Sequence, residues 1–528
     1  MTFQSRIDAA APDIVPDSSI LTRRQLVLVM VVATLVAAAL RLWDIGARSL
    51  WLDEAYSGWF SALTWPELWF ETPQYEPHPP LYYSLLKLWR LIAGDEAAGL
   101  RSLSALAGVA LVPMMALAAH ELARLTRGTR PFLLVAAAAL LAALAPRLVV
   151  IGQDARPYAL LALAYATGIY GWLRLARSFR EPDSAGSWRD WAILGVATAF
   201  ALWLHGIGIL YAGALLAALL LIAAPGATRA RWLRLGGTVA AVVAAYLPCL
   251  AMLIGRSGDW SGGWLGWDPA KFPGAVLELY GLHHFDEMAT PTIALAMMPA
   301  LLFLGIRALV RCGERGLAWS MALLLVTPPL AAAIISQLGT PVFIARTQVA
   351  VLIPAYLLVA CFIANVAKRQ ATICGGVLAT LFLANLAQAM ARPDLEPWRE
   401  IATTLKREMR PGDVIWVYPN DVEIPLERAI GGGDRIVPIP APYPALTAPG
   451  THPSGSPAVV AIDGAQARGW ADRHAPAPAA TVWLLRGGPY YFDPDGAVLT
   501  ELSRGRRHGR ARKWLDIELR PLRPGPSR

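Results

Sequence analysis

Two adjacent carboxylates, Asp53 and Glu54, stand in the stretch Ser49-Leu50-Trp51-Leu52-Asp53-Glu54-Ala55-Tyr56-Ser57, directly after the first membrane-length apolar run. A charge that close to hydrocarbon is costly and marks a candidate site. A carboxylate there can take a proton from a hydroxyl as its oxygen attacks an electrophilic carbon, and partial desolvation makes it a better base. The plainer alternative is that Asp53 caps a short interfacial helix over 54–60.

Three further groups carry chemistry. Glu76 and His78 flank Pro77 in Tyr75-Glu76-Pro77-His78-Pro79-Pro80-Leu81-Tyr82-Tyr83. They suit phosphate contact or, with His205 as a third ligand, a divalent metal, although Glu-x-His alone is weak for a site that normally needs three or four ligands. The bland reading is that the prolines shape the loop and His78 bonds a carbonyl. Gln153-Asp154-Ala155-Arg156-Pro157-Tyr158 pairs an acid with a guanidinium fork suited to phosphate, with Tyr158 beside it; a local ion pair closing the loop is the alternative. Arg346 begins an apolar run at an end where basic residues are not expected, so it is either a phosphate contact or a headgroup anchor. His283 and His284 share a polar loop with Trp260, Trp264 and Trp267, fit for stacking on a sugar or for an interfacial belt.

The elements that must position these residues are membrane spans. The 528 residues are 56% hydrophobic and 16% charged, against about 25% charged in soluble domains, and mean hydropathy is +0.44. Apolar runs of about 18–24 residues recur along the chain. The net charge of +9 sits largely as Arg in short loops between those runs, where it serves topology, so nucleic acid is not the expected partner. Four cysteines lie in or beside apolar runs without CxxC spacing, which argues for free thiols. Residues 1–22 read as a flexible cytoplasmic tail.

The loops fix the orientation. Arg23-Arg24 place the N-terminus inside, so the first external loop, 43–99, holds Asp53 and Glu54. The run 81–93 is short and carries Lys87 and Arg90, so it reads as an amphipathic surface helix. Arg124, Arg127 and Arg130 then fall inside and 153–158 outside. Continuing gives about eleven spans over 23–391, with the basic loops inside and the C-terminus outside. From 392 the character changes to a small external α/β domain of helices at 398–409 and 422–430 and strands at 413–418, 458–462, 481–485 and 514–519. The Arg504 to Lys513 run reads as solvated or headgroup-facing charge.

There is no P-loop and no Gly-x-Gly-x-x-Gly opening a helix after a strand, so no nucleotide cofactor is expected. An external polar cluster without a nucleotide cradle suits a lipid-carried sugar phosphate reached from the bilayer. A lipid or solute transporter is the rival reading, but neither internal repeats nor broken midplane helices are visible. A non-catalytic envelope-assembly subunit is the third.

The motifs around Asp53, Glu76 and Asp154, in this order, resemble those of the GT-C membrane glycosyltransferases, over about residues 23–392. The nearest likeness is to the bacterial family 39 proteins, related to protein O-mannosyltransferases and to the aminoarabinose transferase of lipid A. The resemblance implies a polytopic α-helical GT-C protein of a bacterial inner membrane, with juxtamembrane helices and a periplasmic C-terminal domain. It further implies inverting transfer of a sugar from a polyprenyl-phosphate donor to a lipid, glycan or protein acceptor, with Asp53 as base. Glu54, Glu76 and Asp154 shape an acidic cleft, one of them able to hold a metal with His78 or His205, and Arg156 and Arg346 steady the donor phosphate. Some relatives bind a divalent metal near the position of Glu76 and His78; the aminoarabinose transferase has Lys where His78 stands.

Overall fold

The computed structural model describes residues 21–254, 267–279, 290–339, 341–391, 394 and 396–525. Each membrane-length apolar run is helical over the described residues. Length and composition qualify seven described helices as membrane spans: Arg23–Leu42, Ala97–Leu125, Tyr158–Ser178, Arg229–Ile254, Arg315–Leu338, Ala345–Asn365 and Lys368–Ala391. The chain is a multi-pass membrane protein. The first of these helices turns Val27, Leu28, Val31, Val32 and Leu35 outward, a face that only hydrocarbon can cover. Leu352–Asn365 runs through the middle of the bundle with nearly every side chain buried.

The run at 132–151, expected as one span, is two helices. Pro131–Leu144 and Pro146–Gly152 meet at 53° and make an eighth crossing if taken together. Pro146 has no N–H to give the Ala142 carbonyl and pushes Ala145 out of helical backbone. Arg41, fully buried, fills the gap: its guanidinium donates to the carbonyls of Ala142 at 3.0 Å and Ala143 at 3.1 Å. Two glycines make room for it. A Cβ on Gly108 would stand 2.7 Å from Arg41 Nε, and one on Gly152 3.2 Å from its Cδ.

Leu81–Ala93 is a 13-residue helix with Tyr82, Tyr83, Ser84 and Leu86 buried and Leu88, Leu91 and Ile92 exposed. That two-sided pattern is the amphipathic surface helix expected from its length and charge. It follows Pro79 and Pro80 and lies over the helix Leu52–Ala62, which carries Asp53 and Glu54.

The C-terminal region is a six-stranded sheet in the order β2-β1-β3-β6-β4, with β5 also on β6. The strands are β1 Val414–Tyr418, β2 Ile436–Pro438, β3 Val482–Gly487, β4 Arg506–His508, β5 Arg512–Trp514 and β6 Ile517–Pro524. β1 runs parallel to β2 and β3; β6 runs antiparallel to β3, β4 and β5. Ile415, Val417, Trp483 and Leu485 pack under the helices Trp398–Glu408 and Glu423–Ile430. Trp416, Tyr418, Val482 and Leu484 face Trp470, Val498 and Leu502 on the other side. Both faces are covered, which is why these strands read as unbroken apolar runs.

Two sequence expectations fail here. Residues 458–462 are buried but form no strand, having only the isolated bridge Thr451–Ala461. Their backbone is satisfied by side chains: Asn420 donates to the Ala458 carbonyl at 2.9 Å and accepts from Val460 N at 3.0 Å, and the Tyr418 hydroxyl accepts from Ile462 N at 3.2 Å. The segment 514–519 is two strands, turned at Leu515, which has φ +38°.

Candidate active site

The helix Leu52–Ala62 opens with Trp51 in extended backbone, and Glu54 reaches back to the Trp51 N–H at 3.3 Å. Glu54 is fully buried. Arg101 grips it with two bonds, Nε to Oε1 at 2.8 Å and Nη2 to Oε2 at 2.6 Å. Ala155 N adds a third at 2.8 Å, so the loop after the first span and the loop at 153–158 meet on this carboxylate. Arg101 also donates to the carbonyls of Ile45, Arg48 and Ser49. Glu54 is thus enclosed by donors, and a planar guanidinium pairing on both oxygens is the strongest of them.

Asp53, one residue earlier, faces the cleft and keeps about a quarter of its side chain exposed. Two cations converge on it. Arg346 Nη2 lies 3.0 Å from Oδ2 and Arg156 Nη2 3.9 Å from the same oxygen. Arg156 Nη1 also bonds the Asp53 carbonyl at 3.1 Å. Arg346 lies over the Trp51 ring at 5.1 Å and hydrogen-bonds the Tyr158 side chain. The Arg156 Nε–H is buried without an acceptor among the described residues. Burial would lower the Arg156 guanidinium, but Asp53, Tyr158, Tyr83 and Glu76 together outweigh it and hold it firmly protonated.

Glu76, His78 and His205 also come together. Glu76 Oε1 accepts from His78 Nδ1 at 2.5 Å and from the Tyr83 hydroxyl at 2.9 Å. His78 Nε2 faces His205 Nε2 at 3.1 Å, and His205 Nδ1 accepts from Ile207 N at 3.2 Å. This orders the protons: His205 donates from Nε2, and His78 accepts at Nε2 and donates from Nδ1. Burial, then His78, pushes the His205 imidazolium far below the usual range. Burial would raise the Glu76 carboxyl, but His78 and Arg156 outweigh it and leave it below the ordinary value. The trio is not the three-ligand metal set that the spacing suggested. Glu76 sits behind His78, on the nitrogen away from His205, and among the described residues no three His, Cys, Asp or Glu side chains could hold one metal ion.

Asp154 sits beside Glu54 and Arg101; burial and the Glu54 charge push it up to about 7. Tyr158 is buried and its ring lies 5.8 Å from that of His205. His283 and His284 lie outside the described residues.

Several participants escaped the sequence reading. The C-terminal domain closes over the helix Leu52–Ala62: Glu396 Oε2 accepts from Leu52 N at 2.8 Å, and Asp421 Oδ2 accepts from the Tyr56 hydroxyl at 2.9 Å. The Tyr443 ring packs against Tyr56 and Trp59, each at 5.2 Å. Arg101 could have been found, because it begins an apolar run at an end where basic residues are not expected, as Arg346 does.

The sequence matches no family model and no curated protein. Solved structures match along nearly the whole chain. The ArnT of Cupriavidus metallidurans bound to undecaprenyl phosphate superposes with a TM-score of 0.60 at 14% identity, over 95% of this chain and 98% of that one. The oligosaccharyltransferase AglB of Archaeoglobus fulgidus, with an inhibitory peptide and a dolichol-phosphate, gives 0.51 at 13%, over 92% and 72%. The oligosaccharyltransferase of the same organism with Zn and sulfate gives 0.52 at 13%, over 92% and 71%. With its bundle, its juxtamembrane helices and its C-terminal sheet domain, the chain has the fold of the GT-C membrane glycosyltransferases.

Proposed function

We propose that the chain is an inverting glycosyltransferase that moves a sugar from a polyprenyl phosphate to an acceptor on the outer face of a bacterial inner membrane. The observation that carries this reading is the convergence of Arg156 and Arg346 on Asp53, with one buried Arg156 N–H still unanswered. A donor phosphate entering beside Asp53 competes for both guanidiniums and frees Asp53 Oδ2 to take the acceptor proton next to the sugar.

The acceptor hydroxyl oxygen attacks the anomeric carbon as its proton passes to Asp53. The bond from that carbon to the phosphate oxygen breaks, and polyprenyl phosphate leaves with the electron pair, its added charge met by Arg156 and Arg346. Glu54 acts as a positioning residue, and Asp154 completes the acidic wall. Tyr158 orients Arg346, and Glu76 with His78 borders the donor side. The oligosaccharyltransferase above was crystallised with Zn. Here two imidazole nitrogens, His78 Nε2 and His205 Nε2, are what a cation would meet, fewer than a catalytic site uses, so no step runs through a metal. The positive-inside pattern puts the N-terminus in the cytoplasm and the C-terminal domain in the periplasm.

Membranes holding wild type or Asp53→Asn, given radiolabelled polyprenyl-phosphate hexoses and pentoses with envelope extract as acceptor, test this. Wild type consumes one donor, and Asp53→Asn is slower by roughly 10²–10⁴-fold with unchanged yield of folded protein. Equal consumption by both removes Asp53 as the base.

A further inference from the structure

The outer domain carries a groove of about 1070 Å³ that the proposed transfer chemistry does not use. Arg410, Arg510, Arg512, Lys513 and Arg523 line it, against Glu400, Glu408 and Asp413. All three acids are already engaged. Glu408 holds Arg512 at 2.5 Å, and Glu400 accepts from Trp514 Nε1 at 3.0 Å. Asp413 accepts from the backbone of Thr481 and Arg410, each at 2.9 Å. The side chains of Arg410, Arg510 and Arg523 have neither an ion pair nor a hydrogen bond among the described residues. They are exposed cations on one groove whose cations outnumber its carboxylates.

Between these cations stands Trp514, its indole fixed by the bond to Glu400. Forked donors that pair with carboxylate or phosphate, beside a rigid aromatic face that packs on the C–H face of a sugar ring, match a charged carbohydrate. The groove has a direction. At one end, Arg399, next to Glu400, donates to the carbonyls of Gly46 and Ala47, a few residues before Asp53. At the other end, Arg410 and Arg523 lie by the start of β1 and the end of β6. The eight residues of β6 span roughly 25 Å, enough for several linked sugars. Arg410 and Arg523 stand at the end of the sheet opposite Asp421, whose carboxylate meets the membrane part at Tyr56. That position favours a polymer in the aqueous space over a lipid headgroup.

We propose that this groove binds an anionic glycan, a chain of sugars bearing carboxylate or phosphate groups, and leads it toward Asp53 as the acceptor. The acceptor role, though not the binding, rests on the transferase reading. The test is titration of the full chain in phosphatidylcholine nanodiscs with hexagalacturonate, with maltohexaose as the neutral control. Hexagalacturonate binds, more weakly as salt rises, and maltohexaose does not. The variant Arg410→Gln/Arg510→Gln/Arg523→Gln loses affinity roughly ten-fold or more. Trp514→Ala loses several-fold while keeping the salt dependence. Asp53→Asn binds as wild type does, so loss of transfer and loss of binding fail separately. Equal affinity in the triple variant, or no binding by wild type, overturns the proposal. Binding only to phosphatidylglycerol vesicles, lost in the triple variant, makes the groove a headgroup site and overturns it as well.

Discussion

The helix that carries Asp53 is held from two sides by different physics. On the membrane side the fully buried Glu54 is met by the Arg101 guanidinium on both oxygens, and Arg101 ties in three loop carbonyls. On the side of the C-terminal domain the carboxylates meet only neutral donors: Glu396 takes Leu52 N and Trp398 Nε1, and Asp421 takes the Tyr56 hydroxyl. Without a cation to offset it, burial pushes Glu396 up to about 7 and Asp421 up to about 6. The inner anchor is a charge pair that cannot be half-undone. The other is a set of hydrogen bonds, whose strength varies with protonation, together with ring contacts and the ion pair of Arg428 with Asp95 at 3.1 Å. Together they suggest a fixed floor that sets where Asp53 stands and a roof that docks over it.

The largest effect should come from breaking the floor. Arg101→Met leaves Glu54 buried and uncompensated, at a cost of roughly 3–5 kcal/mol. Thermal unfolding in detergent should show it as a large drop, with activity lost at temperatures where wild type survives. If Arg101→Met unfolds like wild type, the floor and roof do not differ as argued. Tyr443→Ala should be milder, no more than about 3 kcal/mol, and should fall on docking. It removes the ring that packs on Tyr56, Trp59 and Tyr75. Protease cleavage before Trp398 should accelerate while the bundle keeps its unfolding temperature; a lowered bundle temperature with unchanged cleavage would show Tyr443 to be part of the floor.

The same contrast governs what the sequence could reveal. The floor was largely legible. Asp53, Glu54, Asp154, Arg156 and Arg346 are charges against the grain of apolar runs, and a charge near hydrocarbon announces itself. Arg101 carried the same signal and was passed over because it opened a span. The roof was not legible. Asp394 meets Ser49 N across 345 residues and Glu396 meets Leu52 N across 344, and nothing local marks either acid. Asp421 stands just before a helix, and its partner is a tyrosine 365 residues away. β1 and β3 were readable because both of their faces are apolar. Residues 458–462 had the same composition, yet Asn420 and Tyr418 took up the backbone groups a sheet would have used. β2, with three residues, is too short to leave a pattern.

The smallest effect is the one that separates the two sides most cleanly. Asp421 moves from 3.8 to about 6 on folding and Glu396 from 4.5 to about 7. The docked protein therefore holds more protons than the unfolded chain between about pH 4 and pH 7. The contribution of these two groups is fully present at the acid end of that window. It falls as pH rises through 6 and 7, when a buried carboxylate must ionise without a cation. Glu76, held below its ordinary value, works in the opposite sense, so the informative quantity is the difference between proteins. Between pH 5.5 and pH 8, protease cleavage before Trp398 should speed up in wild type, and the slope should flatten in Asp421→Asn/Glu396→Gln, whose amides cannot ionise. Parallel slopes would mean that the outer carboxylates keep their protonation on docking. Tyr443→Ala should keep the slope and raise the rate at every pH, because a ring contact carries no proton. A roof that loosens toward alkaline pH would let pH change access to Asp53 while the Arg101 and Glu54 pair holds its helix in place; Asp154, pushed up to about 7, adds a pH response of its own that the difference between proteins removes.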